Sequence, residues 1–373
     1  MLQGPAPDRP ALSKLDATHS SPVLHLQHTP AIQDVPNVGS VSEVMTPADA
    51  GVELTVIIPC YNVELYVEDT IRSLRRNLDD GFEFIFVDDS STDYTSGILR
   101  REVATLPGGR VITNQLNVGL AAARNVGINA ARGRYIAFLD GDDLVLPGYY
   151  RQLVDQIKDL QVDFVRTDHI RFNGPHRVID RIQFGPRRRP ADPRSGILPT
   201  DRNTAVDYPF AWAGIFDRKV AERGLLHFTP GLRTCEDRPW IWRLHRQAES
   251  FAAVNLLGLL YRRNVSNSLS QVSDDRQFDF IPAFDEIVTG AETDWNAERY
   301  LPKALRSYSA IICHQLSRQD SYEPELAEAL HRRCRDAVGR LPQQELATVV
   351  AGLDPRRRAM MTKLISESEV LVP

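Results

Sequence analysis

Residues 133–143 read GRYIAFLDGDD, an apolar and aromatic segment that runs directly into three aspartates. The segment Tyr135–Leu139 predicts a buried strand, and the carboxylates of Asp140, Asp142 and Asp143 follow at its carboxyl end. Three carboxylates within four residues repel one another, and a divalent cation bound among them relieves that repulsion. An acidic turn that caps the next helix explains the same residues without a metal, and this alternative stays open on the motif alone.

The same pattern, a buried strand that ends in polar residues, occurs twice upstream. The two stretches are LTVIIPCYN at 54–62 and FEFIFVDDSSTD at 82–93. Apolar residues three and four apart, as at Val67, Ile71 and Leu74, predict helices between the strands. Alternating strands and helices predict a parallel sheet with helices on both faces. The carboxyl ends of such strands meet at one edge, where ligands bind.

The remaining patterns complete a prediction of three regions. Further strands are predicted at 110–113, 162–165, 211–216 and 251–261, and a basic, loop-like stretch at 171–205. Further helices are predicted at 91–99, 118–131, 147–160, 236–246, 278–288, 304–316, 324–338 and 344–353. The fold class is therefore α/β, with a Rossmann-like, mostly parallel sheet and an all-helical C-terminal extension. The predicted regions are a flexible, Pro-rich N-terminal arm (1–50), an α/β domain (51–273) and the helical extension (274–373).

Composition excludes several classes of protein. The chain has 373 residues and a formal net charge of −5, which argues against a nucleic-acid partner. Its four cysteines form no CxxC pair, which argues against a zinc knuckle and favours a reducing compartment. The sequence has no run of about 18 apolar residues, the length that would predict a membrane span. The N-terminus has no signal-peptide pattern. We expect a cytoplasmic protein; peripheral contact with the inner face of the membrane and homo-oligomerisation stay open.

Four motifs, in this order, resemble the family 2 nucleotide-sugar glycosyltransferases, which have the GT-A fold. They are VIIPCYN (56–62), FVDDSSTD (86–93), NVGLAAARN (117–125) and GRYIAFLDGDD (133–143). The resemblance implies an inverting enzyme that uses Mn²⁺ or Mg²⁺. It also implies transfer of a sugar from a nucleotide-sugar, usually a UDP-sugar, to an acceptor hydroxyl in glycan or cell-surface polysaccharide biosynthesis.

By this resemblance, residues of all four motifs bind the nucleotide-sugar donor, and Asp142 also binds the metal. The implied donor-binding residues are Pro59, Tyr61, Asn62, Asp89, Asn117, Arg124, Asp140 and Asp142. Considered without the resemblance, Asp88–Asp93 is an acidic helix cap and Arg124 an ordinary surface arginine.

The resemblance also implies a catalytic carboxylate in a Glu-Asp pair at the start of a helix, and CEDRPWIWR at 235–243 matches. Asp237 is then the base. Its neighbour Glu236, together with Trp212 and Trp240, is predicted to contact the acceptor. An adjacent carboxylate and aromatic surroundings raise the pKa of a carboxyl group, which improves proton acceptance. Without the upstream motifs, the pair is an acidic helix N-terminus and the tryptophans are core residues.

Absent motifs narrow the function further. The Gln-x-x-Arg-Trp element of the processive members is missing, so the resemblance favours an enzyme that adds one sugar per encounter. No GxGxxG or GxxxxGK[ST] motif follows the first strand, which argues against dinucleotide-dependent oxidoreductases and P-loop enzymes. Arg187–Arg189 is either a solvated loop or a site for an anionic acceptor. The alternative function is an inactive glycosyltransferase-like scaffold that binds a partner through its C-terminal helices.

Overall fold

The computed structural model of the protein describes residues 51–263, 265 and 274–369. The predicted N-terminal arm lies outside these residues. Eleven strands are found in the described part of the chain: β1 (Leu54–Cys60), β2 (Phe82–Asp88), β3 (Gly109–Thr113), β4 (Tyr135–Phe138), β5 (Leu144–Val145), β6 (Phe164–Thr167), β7 (His169–Asn173), β8 (His176–Asp180), β9 (Gly214–Asp217), β10 (Phe251–Val254) and β11 (Leu259–Arg262).

Two sheets contain these strands. The larger has seven strands in the order β10-β6-β9-β4-β1-β2-β3, and the smaller has four in the order β5-β11-β7-β8. In the larger sheet β1 pairs in parallel with β2 and β4, whereas β9 runs antiparallel between β4 and β6. The predicted mostly parallel sheet is therefore confirmed.

The described residues form eleven α-helices: α1 (Val67–Leu74), α2 (Thr95–Val103), α3 (Leu120–Ala130), α4 (Tyr149–Leu160), α5 (Arg218–Glu222), α6 (Asp237–Gln247), α7 (Phe280–Glu292), α8 (Ala297–Leu316), α9 (Pro324–Arg340), α10 (Gln343–Ala351) and α11 (Pro355–Glu369). Within the described part of the chain, no helix is both long enough and apolar enough to span a bilayer.

The central strands are buried because helices cover both faces of the larger sheet. Every residue of β1 and β2 is buried, as expected for parallel strands with two covered faces. Helix α3 lies directly on β1, since a Cβ atom added at Gly127 would lie 2.2 Å from Cγ2 of Ile57. A larger residue at this position would push the helix away from the sheet.

The C-terminal helical region contacts helix α6 of the α/β region through two ion pairs. Arg243 and Arg246 of α6 pair with Glu286 and Asp294, at 3.2 and 3.0 Å respectively. The described residues thus include a helical C-terminal region, as predicted. The boundary at residue 273 stays a prediction.

Strand β5 and helices α5 and α11 are not among the predicted elements, and two predicted stretches have a different structure. The predicted loop at 171–205 begins with a β-hairpin, β7–β8, which turns at Gly174. The predicted single strand at 251–261 is two strands, β10 and β11, which belong to different sheets. Between them, a Cβ atom added at Gly258 would lie 2.1 Å from Cδ2 of Tyr149, so the turn passes directly over α4.

Candidate active site

The carboxyl ends of β1, β2 and β4 meet at one edge of the larger sheet, as predicted. The backbone N–H of Asp89 donates to the carbonyl oxygen of Cys60 at 2.9 Å. The side-chain oxygen of Asn62 accepts from the backbone N–H of Thr92 at 2.8 Å. Thr70 of α1 donates to the carbonyl oxygen of Gly141 at 2.9 Å. These bonds join three of the sequence motifs into one surface.

Asp89 holds the loop between β3 and α3 in place. Its side chain is 2% exposed and accepts hydrogen bonds from Asn114 Nδ2 (2.7 Å) and from the backbone N–H groups of Val118 (3.0 Å) and Gly119 (2.9 Å). Asn117 Nδ2 donates to the carbonyl oxygen of Asp89 at 3.2 Å. Asp89 and Asn117 therefore fix the loop between β3 and α3 at the edge of the sheet, and their contact with a sugar donor stays a prediction.

Tyr61 presents an accessible ring beside this loop. Its side chain is 47% exposed, whereas the preceding residues Pro59 and Cys60 are buried in β1. Asn62 adopts a left-handed backbone conformation, with φ of 51°, which ends the strand. An exposed aromatic ring at a strand end is available for stacking on a nucleobase, the role predicted for Tyr61.

Arg124 joins the two acidic motifs of the site. It lies on α3 and is 3% exposed. Its Nη2 donates to Oδ1 of Asp140 at 2.8 Å, and its Nη1 donates to Oε1 of Glu236 at 2.7 Å. The guanidinium also lies 5.1 Å from the ring centroid of Phe228. Arg124 is thus a buried bridge between the end of β4 and the start of α6, and not an ordinary surface arginine.

A second acidic group, Asp142 and Asp143, lies after β4 and is contacted by Arg262. Burial and the neighbouring Asp140 carboxylate raise the pKa of Asp142 to about 6. Asp143 is fully buried, and its Oδ1 accepts from the backbone N–H of Arg262 at 2.7 Å. Its Oδ2 has no hydrogen-bond partner among the described residues. Arg262 Nε donates to the carbonyl oxygen of Asp142 at 2.8 Å.

Burial and mutual repulsion raise the pKa values of both carboxyl groups, so their ionised forms lack sufficient stabilisation from the protein. Within the described residues, no group of three or more His, Cys, Asp or Glu side chains is arranged to hold a metal ion. A cation bound at Asp142 would therefore take most of its ligands from a bound phosphate and from water. Oxygen ligands of this kind are those that Mg²⁺ and Mn²⁺ prefer.

Asp237 begins helix α6, directly after Glu236. Burial and the adjacent Glu236 carboxylate raise the pKa of Asp237 to about 7, although Arg238 and Arg124 partly oppose this rise. A carboxylate with a pKa near neutrality is well matched to accept a proton. Cys235 precedes the pair with a φ of 60°, so the chain turns sharply into the helix.

The two predicted acceptor tryptophans lie in the core beside the site. Trp212 is 4% exposed, and its ring stacks on Phe210 at 4.8 Å between centroids. Trp240 is fully buried, stacks on Phe228 and donates from Nε1 to the carbonyl oxygen of Leu226 at 3.0 Å. Both rings support the walls of the site in this structure, and their contact with an acceptor stays a prediction.

Arg166 of β6 is a neighbour of the site that the motifs did not indicate. It is fully buried, and its Nη2 donates to the carbonyl oxygens of Tyr208 (3.0 Å) and Phe210 (2.8 Å). Its guanidinium lies 6.0 Å from the ring of Trp240 and interacts electrostatically with Asp237. The sequence feature that could have indicated Arg166 is a charged residue inside the buried strand FVRT at 164–167.

Comparison with known proteins agrees with this geometry. Residues 55–224 match the family model described as Glycosyl transferase family 2. The uncharacterized glycosyltransferase EpsJ of Bacillus subtilis is 30% identical over 62% of this chain and 65% of its own length. The putative teichuronic acid biosynthesis glycosyltransferase TuaG of the same organism is 42% identical over 24% of this chain and 36% of its own length. The chain thus covers less than two thirds of these relatives.

A solved structure has the same fold. The crystal structure of Staphylococcus aureus TarS 1–349 in complex with UDP-GlcNAc superposes with a TM-score of 0.65 at 17% sequence identity. The match covers 85% of this chain and 88% of that one. At this level of identity the likeness concerns the fold, including the parallel sheet and the helices that follow it.

Proposed function

We propose that this chain is a family 2 glycosyltransferase, as the match of residues 55–224 to the family model supports, and that it transfers one sugar per encounter from a nucleotide-sugar to an acceptor hydroxyl. The observation that carries the proposal is the buried bridge of Arg124 between Asp140 and Glu236. It brings the acidic end of β4 and the start of the Asp237 helix onto the same guanidinium group. A UDP-sugar is the proposed donor, because the similar TarS fold was crystallised with UDP-GlcNAc.

In the proposed reaction, Asp237 removes the proton from the acceptor hydroxyl while the oxygen of that hydroxyl attacks the anomeric carbon of the donor sugar. The bond from that carbon to the diphosphate breaks, so the configuration at the carbon inverts. The raised pKa of Asp237 supports this role, since a base of pKa about 7 holds the transferred proton well. Arg124 orients the Glu-Asp pair through Glu236.

The residues at the end of β4 fit a divalent cation. Asp142 lies beside Asp140, and the buried Oδ2 of Asp143 is unpartnered among the described residues, so the group has uncompensated acceptor capacity. Asp142 would hold Mn²⁺ or Mg²⁺, which would neutralise negative charge on the leaving diphosphate. Asp143 and Arg262 would keep the Asp142 backbone in place.

The test of the proposed function is donor binding followed by turnover. A panel of UDP- and other nucleotide-sugars is screened by thermal shift with Mn²⁺, and those that bind are assayed for hydrolysis or transfer. A ligand at about 100 times its Kd stabilises the folded state by about 2.7 kcal/mol. The absence of both a shift and turnover across the panel would instead favour the inactive scaffold.

Replacing Asp142 with Ala is expected to abolish the Mn²⁺-dependent part of the UDP thermal shift. The reason is that Asp142 is the proposed protein ligand of the cation that the diphosphate shares. UDP titrations with Mn²⁺ and with EDTA measure this directly and do not require turnover. Asp159→Ala, at an exposed position on α4, serves as the control and should keep the shift. An unchanged Mn²⁺ response in the Asp142 variant would disprove the metal assignment.

The rate of transfer is expected to fall as the pH drops below about 7. Asp237 has a raised pKa, so it is protonated below that pH and cannot accept the acceptor proton. A pH profile of kcat/KM reports this as an acid limb with a slope of one. A rate that stays constant from pH 8 to pH 5 would mean that Asp237 is not the base.

A further inference from the structure

The hairpin β7–β8 and the loop that follows it form a strongly basic part of the surface. Residues 169–189 contain six arginines and one acidic residue, Asp180, in a chain whose formal net charge is −5. Five of these arginines are exposed or half-exposed and are called here the basic rim: Arg171, Arg177, Arg181, Arg188 and Arg189. The sixth, Arg187, donates to the buried carboxylate of Asp168 at 3.0 Å and is structural.

The positive charge of the basic rim is largely uncompensated. Arg177, Arg188 and Arg189 form no ion pair with any described residue, whereas Arg171 pairs with Asp180 at 3.2 Å. Arg181 shares the single carboxylate of Asp168 with Arg187, so two guanidinium groups face one negative charge. Unpaired guanidinium groups on one surface attract an anionic ligand.

The hairpin part of the basic rim, which contains Arg171 and Arg177, adjoins the acidic end of β4. Strand β7 pairs with β11, where Phe172 lies opposite Arg262. The Phe172 ring lies between two guanidinium groups, 5.0 Å from that of Arg262 and 4.9 Å from that of Arg177. Arg262 in turn donates to Asp142 and Asp143. Strand β8 is two strand spacings from β11, or about 10 Å, so a chain bound at the rim reaches the reaction site.

We propose that the basic rim binds an acceptor chain bearing several phosphate or carboxylate groups and holds it beside Asp142 and Asp237. The inference rests on the proposed glycosyltransferase function and adds the chemical class of the acceptor. The planar guanidinium donates two parallel hydrogen bonds to either anionic group, which suits repeated contacts along a polymer. Single-stranded nucleic acid fits less well, because His176 is the only exposed aromatic side chain of the hairpin, so successive bases find no row of rings on which to stack.

The test compares two triple variants that remove equal charge. In the first, Arg177, Arg188 and Arg189 are replaced by Gln, which breaks no ion pair among the described residues. In the control, Arg332, Arg333 and Arg356, which are exposed on α9 and α11, are replaced by Gln. Binding of fluorescent linear polyphosphate and of polygalacturonate is measured by anisotropy at several salt concentrations. We expect the rim variant to bind roughly tenfold or more weakly at low salt, with a shallower salt dependence, and the control to bind like the wild type.

The outcomes separate this inference from the proposed function. Whichever polymer binds the wild type more tightly identifies the anionic group as phosphate or carboxylate. Equal losses in both variants, no binding of either polymer by the wild type, or tighter binding of a single-stranded RNA of equal charge would each overturn the proposal. The UDP thermal shift is measured in parallel and should be unaffected in the rim variant. Failure of UDP to shift the wild type counts against the proposed function and leaves the polymer result intact.

Discussion

Replacing Asp237 with Asn is expected to lower turnover by roughly 10²–10⁴-fold, because an amide cannot take the acceptor proton. The substitution keeps the size and shape of the side chain at the start of α6. Donor binding should therefore remain, since in the proposed site the donor contacts come from the ends of β1, β2 and β4. Single-turnover transfer and a UDP thermal shift on the same preparation separate these two effects.

The matched control for this variant is Asp155→Asn. Asp155 is an exposed aspartate on α4, so the same chemical change there should leave turnover unchanged. If Asp237→Asn transferred sugar at the wild-type rate, Glu236 would become the candidate base. If it lost UDP binding as well as turnover, the loss would reflect a disrupted site and not a missing base.

Replacing Arg124 with Met is expected to cost roughly 3–5 kcal/mol of stability, the usual result of removing one partner from a buried ion pair. The variant would leave the Glu236 and Asp140 carboxylates facing each other without their shared cation. It would also raise the pKa of Asp237 above its value of about 7, since the Arg124 guanidinium holds that pKa down. Urea denaturation measures the stability, and the acid limb of any residual activity should move to higher pH.

Two further variants test whether loss of the Arg124 bridge causes the expected changes in stability and pH profile. Arg124→Lys keeps the charge but not the planar fork that reaches both carboxylates, so we expect an intermediate loss. Arg218→Met removes another buried arginine, which donates to the carbonyl oxygen of Ala131 at 2.7 Å near the opposite end of β4. It should lower stability while UDP binding and the pH profile stay as in the wild type. A stable Arg124→Met variant with an unshifted pH profile would contradict the role of the bridge.

The central sheet could be predicted because its signals are local. Each strand from β1 to β4 is marked by its own residues, and β1, β2 and β4 also end in a polar motif. The parallel order then follows from the helices between them. The same locality explains why Asp142, Asp237 and the exposed Tyr61 could be selected as candidate residues from their motifs.

The second half of the chain was predicted less well, because its strands depend on distant partners. In β7 and β8, apolar and charged residues mix on a half-exposed hairpin, so no buried run marks them. The stretch 251–261 is apolar apart from Asn255, and Gly258 packs against Tyr149 between β10 and β11, where the chain leaves one sheet for the other. Helix α11 was not predicted, and it packs through the buried residues Met361 and Leu364.

Local patterns in the chain were therefore sufficient to predict the α/β architecture, the resemblance to family 2 glycosyltransferases and the acidic positions at the strand ends. The residues that contact those acidic side chains could not be predicted from local patterns. Arg124 meets Glu236 across 112 positions of sequence, and Asp143 meets Arg262 across 119. Such contacts form because a buried charged group needs a counter-charge or a hydrogen-bond donor, and which groups become neighbours depends on how the sheets and helices pack.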